Sequence, residues 1–180
     1  MKHIRSLYEQ LGVDKYYKDY GDQYSNPHFE QVQTLIEQNK TRLDYSNVLD
    51  FCAGGGEVSL VLRALGCNQI TASDPFTHQL YEKNLQQKCH HWSFDDAIKG
   101  KITGDYSSII CSFAMHLCPE EKLYILATTL FQHSPSLIII TPHKRPQLEQ
   151  FSGIELDFID HTLTYKEKKV FLKHYTYAYR

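Results

Sequence analysis

The sequence predicts an α/β protein in which a mostly parallel sheet is covered by helices on both faces. Three observations support this prediction. Five short apolar segments alternate with helix-like segments, three consecutive glycines (Gly54–Gly56) follow the first apolar segment, and two long aromatic and β-branched segments close the chain. The final two segments predict an antiparallel hairpin at one edge of the sheet.

Composition indicates one folded domain. The chain has 180 residues, 42% of them apolar and 22% charged, which is typical of a globular protein rather than a disordered one. No apolar run approaches the roughly 18 residues of a membrane span, and the first residues are too polar for a secretory signal. We expect an N-terminal helical or lid segment (1–45), a cofactor-binding core (46–150) and a closing hairpin (151–180).

The cysteines predict small, reduced, buried thiols in a cytoplasmic protein. None belongs to a CxxC pair, and Cys89-His90-His91 has no second ligand cluster at zinc spacing, so no metal site is predicted. The five cysteines are Cys52, Cys67, Cys89, Cys111 and Cys118.

Hydrophobic period and turn residues place each element in order. The predicted helices cover residues 2–12, 27–40, 57–65, 76–87 and 119–131. The predicted strands cover residues 48–51, 69–73, 89–94, 107–113 and 136–141. The hairpin covers 154–165 and 168–179. Asn26 and Pro27 are expected to be the N-cap and the first residue of the second helix.

The glycines Gly54–Gly56 lie at the carboxyl end of the first strand and open a helix. Glycine there lets the backbone turn through positive φ and approach a ligand closely. Asp74 ends the next strand, where a carboxylate can accept both ribose hydroxyls of a nucleoside. A tight turn without a ligand is the alternative.

The residues around the glycines narrow the choice of nucleoside. Ser59 stands where a dinucleotide fingerprint needs its third glycine, and no Gly-Lys-Ser/Thr follows to make a P-loop. Asp50, just before the turn, would repel phosphates but could accept from an ammonium, directly or through water. A ligand with a ribose, an adenine and a cationic amino-acid end fits best, which describes S-adenosylmethionine.

The stretch VLDFCAGGGEVSL resembles the first motif of class I S-adenosylmethionine-dependent methyltransferases. Asp50 takes the place of the motif's acid, Gly54 and Gly56 those of its last two glycines, and Cys52 replaces the first. DYSSIICSFAMHL resembles the family's fourth-strand segment, which walls the cofactor. The resemblance implies a Rossmann-like three-layer αβα sandwich with a seven-stranded sheet that ends in an antiparallel hairpin.

The resemblance also implies roles for residues. Asp74 would bind the ribose, and an acid after the third strand would contact the adenine amino group; Asp95 and Asp96 both stand there, and the choice stays open. The expected cofactor-binding residues are Asp50, Cys52, Ala53, Gly54, Gly56, Asp74, Pro75, Asp95, Asp96 and Ser112.

Residues for the methyl acceptor are less defined. The tetrapeptide N-P-P-Y/F of amino-group methylases and the Pro-Cys pair of cytosine-C5 methylases are both absent after the fourth strand. His116 is a candidate base or a histidine packed under the next helix. His143, a second catalytic candidate, forms with Lys144 and Arg145 either an anion-binding loop or a solvated one.

A tyrosine-rich stretch, residues 15–28, precedes the second helix. Its tyrosines could close over the site as a lid, with Tyr17 and Tyr24 contacting substrate, or could pack the helix onto the sheet.

We therefore expect an S-adenosylmethionine-dependent methyltransferase that acts on a small molecule or an RNA. The formal net charge of −2 does not favour RNA, and no membrane contact is expected. The alternative is a catalytically silent, methyltransferase-like binding or scaffold protein that needs a partner subunit.

Overall fold

The computed structural model describes residues 26–178, which form a seven-stranded sheet with helices on both faces. The predicted helix 2–12 lies outside the described residues. The helices are α1 (Phe29–Gln38), α2 (Glu57–Ala64), α3 (His78–Leu85), α4 (Phe94–Ile98) and α5 (Glu120–His133). The strands are β1 (Val48–Phe51), β2 (Ile70–Ser73), β3 (Cys89–His90), β4 (Ser108–Ser112), β5 (Leu137–Thr141), β6 (Ile154–Leu163) and β7 (Lys169–Tyr177). Short 3-10 turns cover Met115–Leu117 and Leu148–Gln150.

The strand order is β3-β2-β1-β4-β5-β7-β6. The first five strands in the chain are parallel, with Val48 of β1 opposite both Ile70 of β2 and Ser108 of β4. Their carboxyl ends therefore meet at one edge of the sheet, which we call the carboxyl edge. β1 lies near the middle of the sheet, so the turn that follows it opens between the loops after β2 and β4.

The C-terminal hairpin joins the sheet through β7, which lies antiparallel between β5 and β6. Leu137 pairs with Tyr175 and Thr141 with Phe171. The register with β6 shifts between Leu156 and Phe158, where a bulge lies. The predicted α/β sandwich with a seven-stranded sheet and an antiparallel C-terminal hairpin is confirmed.

Two apolar layers flank the sheet because successive strand residues point to opposite faces. One layer packs the strands against α5 and contains Leu49, Phe51, Ile109, Ile139, Leu126 and Leu130. The other packs them against α1 and α2 and contains Val48, Ile110, Ile138, Leu35, Val61 and Leu62. None of the helices within residues 26–178 is long and apolar enough to cross a membrane.

The third strand is shorter than the predicted 89–94. Only Cys89–His90 pairs with β2, because α4 begins at Phe94 with a capping box. The Ser93 hydroxyl accepts from the Asp96 backbone N–H at 3.1 Å, and the Asp96 carboxylate accepts from the Ser93 N–H, also at 3.1 Å. The Ser-x-x-Asp spacing that carries this cap is visible in the sequence.

The prediction for the start of α1 was wrong by two residues. Asn26 is not the N-cap; its side-chain oxygen accepts from the His28 backbone N–H at 2.9 Å and forms a turn before the helix. His28 takes the N-cap position and makes no side-chain cap. Asparagine favours such a local turn as readily as a helix cap, so the sequence signal was ambiguous.

Replacing Gly56 by alanine should destabilise the fold more than the same change at Gly66. Both have positive φ (96° and 88°), which costs an L-residue about 1–2 kcal/mol. A Cβ on Gly56 would also lie 2.2 Å from Leu85 Cδ1, whereas a Cβ on Gly66 meets nothing within 4 Å. We expect Gly56→Ala to lower the free energy of unfolding by roughly a further 1–3 kcal/mol from overpacking.

Urea unfolding followed by circular dichroism measures both variants, with Gly66→Ala as the matched control for the φ cost. Equal losses for the two variants would show that the contact between the glycine turn and α3 does not constrain the fold.

Candidate functional site

A cavity of about 350 Å³ opens at the carboxyl edge. This volume lies within the roughly 300–1,000 Å³ of small-molecule sites. The loops that follow β1, β2, β3 and β4 build most of its wall. They contribute Cys52, Gly54, Asp74–Thr77, Ser93–Asp95 and Ser112–Ala114, and Leu117, Pro119 and Lys122 complete it.

The turn after β1 forms the floor of the cavity. Its backbone takes positive φ at Gly54 (59°) and Gly56 (96°), as the glycine pattern predicts, and also at Cys52 (62°). A positive φ is uncommon for a residue with a side chain, so Cys52 sits in a strained position beside the site. Ala53 is buried and Gly56 is the N-cap residue of α2; neither lines the cavity.

All five cysteines are free thiols. Four are buried as predicted, but Cys52 is only half-buried and forms part of the cavity wall. The neighbouring Cys111 thiol and burial raise the pKa of Cys52 well above its usual value. Cys52 is therefore a neutral thiol at the site and is not set up as a nucleophilic thiolate.

Asp74 ties the turn after β1 to the turn after β2. Its Oδ2 accepts from the Gly54 N–H at 3.1 Å, and its Oδ1 accepts from the N–H groups of Phe76 and Thr77, each at 2.8 Å. The Thr77 hydroxyl donates back to the Gly54 carbonyl at 2.9 Å. A carboxylate has about four acceptor positions, so Asp74 keeps capacity for a donor in the cavity that it lines.

Asp50 lies beneath the cavity rather than in its wall, and it is fully buried. Its Oδ2 accepts from the backbone N–H of Ser59 at 3.1 Å and from the Ser59 hydroxyl at 2.7 Å. The Tyr81 hydroxyl donates to the Ser59 hydroxyl at 2.9 Å. Asp50 Oδ1 is buried and has no hydrogen-bond partner among the described residues. Burial raises the pKa of Asp50 to about 7.

Glu57 is a third carboxyl group at the turn, and our sequence reasoning missed it. Its Oε2 accepts from the Gly55 N–H at 3.1 Å and its Oε1 from the Asn26 N–H at 3.3 Å. Burial raises the pKa of Glu57. An acid at the first position of the helix after the glycines was the available signal. With Asp50 and Asp74, it makes the turn a place that favours a cation over a phosphate.

The structure separates the two neighbouring acids after β3. Asp95 lines the cavity, and its Oδ1 lies 2.8 Å from Lys122 Nζ. Asp96 does not line the cavity; it belongs to the cap of α4 and lies 2.6 Å from Lys101 Nζ. The hydrogen bond from Lys101 is the main cause that lowers the pKa of Asp96 to about 2. Asp95 is therefore the acid in reach of a ligand.

Aromatic side chains supply much of the remaining wall. Pro75 and Ser112 line the cavity, and Phe76, Phe94 and Phe113 line it in addition. Phe113 has a positive φ of 55°. Its ring stacks on His28 with centroids 4.9 Å apart and planes 5° from parallel. Each of these phenylalanines is adjacent in the sequence to a predicted cofactor-binding residue, but no motif in the sequence indicated that the phenylalanines themselves would line the cavity.

The two candidate catalytic histidines come together outside the cavity wall. The rings of His116 and His143 are 4.5 Å apart, yet neither residue lines the cavity. Burial, with smaller effects of His143 and Arg145, lowers the pKa of His116 to about 4. A group with so low a pKa is a weak proton acceptor at neutral pH. Catalytic roles for these histidines stay predictions.

The loop after β5 presents His143, Lys144 and Arg145 as exposed residues at the carboxyl edge. Lys173, which is buried, holds this loop by donating from Nζ to the carbonyl groups of Lys144 and Pro146. The predicted substrate residues Tyr17 and Tyr24 lie outside the described residues. Within residues 26–178, no group of three or more His, Cys, Asp or Glu side chains is arranged to hold a metal ion.

Comparison with known proteins gives one similar sequence and many similar structures. No protein-family model matches the chain. An uncharacterized protein of Schizosaccharomyces pombe is 29% identical in an alignment of 202 positions that covers 87% of this chain and 81% of the yeast protein.

Three solved structures illustrate the structural likeness. Magnesium protoporphyrin IX methyltransferase from Synechocystis PCC 6803, with bound SAM, has a TM-score of 0.66 and 17% identity over 96% of this chain and 95% of its own. The N-methyltransferase NodS from Bradyrhizobium japonicum, in complex with S-adenosyl-L-homocysteine, has a TM-score of 0.64 and 12% identity over 96% and 97%. A putative RNA methyltransferase from Pyrococcus horikoshii has a TM-score of 0.61 and 15% identity over 86% and 87%. The chain therefore has the fold of class I S-adenosylmethionine-dependent methyltransferases.

Proposed function

We propose that the protein is an S-adenosylmethionine-dependent methyltransferase. The observation that carries this proposal is the cavity at the carboxyl edge, where Asp74 joins the glycine turn after β1 to the turn after β2. Ligands of open α/β sheets bind at this edge. Two of the structural neighbours named above carry SAM or S-adenosyl-L-homocysteine in the same fold.

The residues present fit the chemical parts of S-adenosylmethionine. Asp74 would accept from the ribose hydroxyls and Asp95 from the adenine amino group, and Phe94 and Phe76 offer apolar faces for the adenine ring. The unpartnered acceptor Asp50 Oδ1 lies beneath the same turn and suits an ammonium, directly or through water. Cys52 and Ser112 line the wall where β1 and β4 end.

S-adenosylmethionine supplies a methyl group already activated by the sulfonium, so the protein's own work is alignment and exclusion of water. An acidic turn around the amino-acid end orients the cofactor, and the three phenylalanines Phe76, Phe94 and Phe113 keep the cavity dry. No catalytic base is required when the acceptor atom is nucleophilic without first losing a proton.

For the acceptor we propose an anionic small molecule or an RNA, held in part by Lys144 and Arg145. Both are exposed at the carboxyl edge, in a loop that Lys173 fixes from below. His116 or His143 would serve as base only for an acceptor that must lose a proton. Tyr17 and Tyr24 are proposed as a lid. We place the protein in the cytoplasm, where free thiols persist.

The second candidate function is a silent, methyltransferase-like binding protein that works with a partner subunit. Cys52 favours it, because a residue with a side chain and a positive φ stands where the motif has glycine and lines the cavity. Such a protein would bind its partner equally well after Asp74→Ala and would transfer no label from S-adenosylmethionine to any fraction of a cell extract.

Asp74→Ala should weaken binding of S-adenosylmethionine by roughly 10- to 100-fold, because hydrogen bonds to a charged group contribute about 1.5–3 kcal/mol each. Calorimetric titration with S-adenosylmethionine and its demethylated product measures the effect, and NAD is the negative control ligand. Circular dichroism checks that the loops held by Asp74 are still folded. Unchanged affinity in a folded variant contradicts the proposed site.

Asp95→Asn and Asp96→Asn form a matched pair that tests which acid reads the adenine. We expect Asp95→Asn to weaken S-adenosylmethionine binding, because only Asp95 lines the cavity. Asp96→Asn should leave the affinity unchanged and lower the melting temperature, because it weakens the cap of α4 and the contact with Lys101. The reverse result would assign the adenine contact to Asp96.

Binding of S-adenosylmethionine at pH 6.5 should release protons. The pKa of Asp50 is about 7 in the free protein, so the carboxyl group is mostly protonated at that pH. An ammonium placed near it favours the ionised form and lowers the pKa, which expels the proton. Calorimetry in buffers of different ionisation enthalpy counts the protons released.

The control for this experiment is Asp50→Asn, which cannot ionise and should bind with less proton release. Equal proton release by the wild type and Asp50→Asn would place the cofactor's ammonium away from Asp50.

A further inference from the structure

Three side chains at the opposite edge of the sheet form a hydrogen-bonded series that the proposed methyl transfer does not use. His174 Nε2 lies 2.9 Å from Ser136 Oγ, and His174 Nδ1 lies 2.9 Å from Asp157 Oδ2. Ser136 directly precedes β5, His174 lies on β7 and Asp157 lies at the bulge of β6. The cavity is at the carboxyl ends of the parallel strands, so this group lies at the other end of β5.

The partners of His174 determine which ring nitrogen carries the proton. The Asp157 carboxylate can only accept, so Nδ1 donates to it, and Nε2 of the neutral ring is then an acceptor facing the Ser136 hydroxyl. Ser136 donates to Nε2, and its Oγ also lies 3.1 Å from the Ser108 Oγ, whose own proton is donated to the Asp44 carbonyl at 2.7 Å. A hydroxyl, a base within hydrogen-bond reach and a carboxylate that orients the base make up the arrangement that activates a serine.

The group is held firmly between the strands. Only 8% of the His174 surface is exposed, whereas Ser136 as a residue is half-buried. The Ser134 hydroxyl fixes the backbone of Ser136 from both sides: it accepts from the Ser136 N–H at 3.1 Å and donates to the Ser136 carbonyl at 2.9 Å. The nucleophile candidate therefore stands on a rigid turn.

Beside His174 lies a small aromatic and cationic surface. The Phe158 ring is 5.2 Å from the His174 ring, and the guanidinium of the exposed Arg42 lies 3.6 Å above Phe158. The apolar Phe158 ring, with the Arg42 guanidinium over it, suits a small ester that carries an apolar or anionic group.

We propose that Ser136, His174 and Asp157 form a second reactive centre, in which Ser136 accepts the acyl group of a small carboxylic ester. Ser136 Oγ bonds to the ester carbonyl carbon while its proton passes to His174 Nε2. The bond between the carbonyl carbon and the alcohol oxygen then breaks, and the leaving alcohol takes the proton from His174. Water then bonds to the acyl carbon while its proton passes to His174 Nε2. The bond between this carbon and Ser136 Oγ breaks, Ser136 takes the proton back from His174, and the carboxylic acid leaves.

The probe is p-nitrophenyl acetate, a small activated ester. The full-length protein is incubated with it, the release of p-nitrophenol is timed, and the site of acetylation is identified by mass spectrometry of the intact protein and its peptides. We expect one acetyl group, on Ser136, and none in Ser136→Ala. Because a general base contributes about 10²–10⁴-fold, His174→Gln should slow acetylation at least about a hundredfold.

The matched control is Ser107→Ala. Ser107 lies at the same edge, and its hydroxyl donates to the carbonyl groups of Asp44 and Asn47 rather than to a histidine. In the Ser107→Ala variant, Ser136 should be acetylated at the rate of the wild type. Asp157 acts through His174, so Asp157→Asn should slow the reaction and Asp157→Glu should restore part of the rate.

The proposal is overturned if the wild-type protein carries no acetyl group on Ser136 when quenched within the first turnover and also releases p-nitrophenol no faster than the ester hydrolyses without protein. It is also overturned if Ser136 is acetylated at the same rate in a His174→Gln variant with wild-type circular dichroism. The first outcome needs no variant, so the test stands even if a substitution at His174 prevents folding. Neither outcome bears on S-adenosylmethionine binding at the other edge.

Discussion

The position of Asp50 inside a fully buried strand is the constraint on which the candidate site depends. β1 is buried along its whole length, so the Asp50 carboxylate has no access to bulk water. A buried carboxyl group without partners costs several kcal/mol. The N–H and hydroxyl of Ser59 offset this cost, which requires α2 to begin directly above the end of β1. The chain must then turn from strand to helix in very few residues.

The short turn explains the glycines and their neighbours. Gly56 has no room for a Cβ because Leu85 of α3 packs against it, and the Tyr81 hydroxyl reaches Ser59 from the same helix. The turn is therefore clamped between β1, α2 and α3. Asp74 adds the link to β2, so the cavity floor is already in place without a ligand. Such preorganisation lowers the entropy cost of binding.

The local signals in the sequence were sufficient for the fold and for the floor of the site. β1 was predicted with its observed bounds, because an apolar run followed by glycines has few other interpretations. β3 was predicted too long because strand propensity in residues 89–94 competed with the cap at Ser93, and the cap prevailed. That Asp95 lines the cavity while Asp96 belongs to the cap of α4 depends on the helix, since adjacent helical residues point about 100° apart.

Residues that meet only through the sheet had no sequence signal. Asp157 and His174 lie on two different strands and Ser136 just before a third, and no spacing rule connects them. The same holds for His116 and His143. The sequence made each a separate catalytic candidate, but their mutual contact and the low pKa of His116 depend on packing. Tertiary contacts decide these cases, and periodicity does not report them.

β7 runs antiparallel to β5, and its side chains make contacts near both ends of that strand. Lys173 and His174 are neighbours on it and point to opposite faces of the sheet. The Lys173 ammonium, whose pKa burial lowers, reaches up to the carbonyl groups of Lys144 and Pro146 and fixes the loop at the carboxyl edge. His174 pairs with Ser136 near the start of β5. A change in the register of β7 would therefore disturb the loop after β5 and the group around Ser136 together, whereas a substitution of Lys173 or His174 alone should affect one edge only.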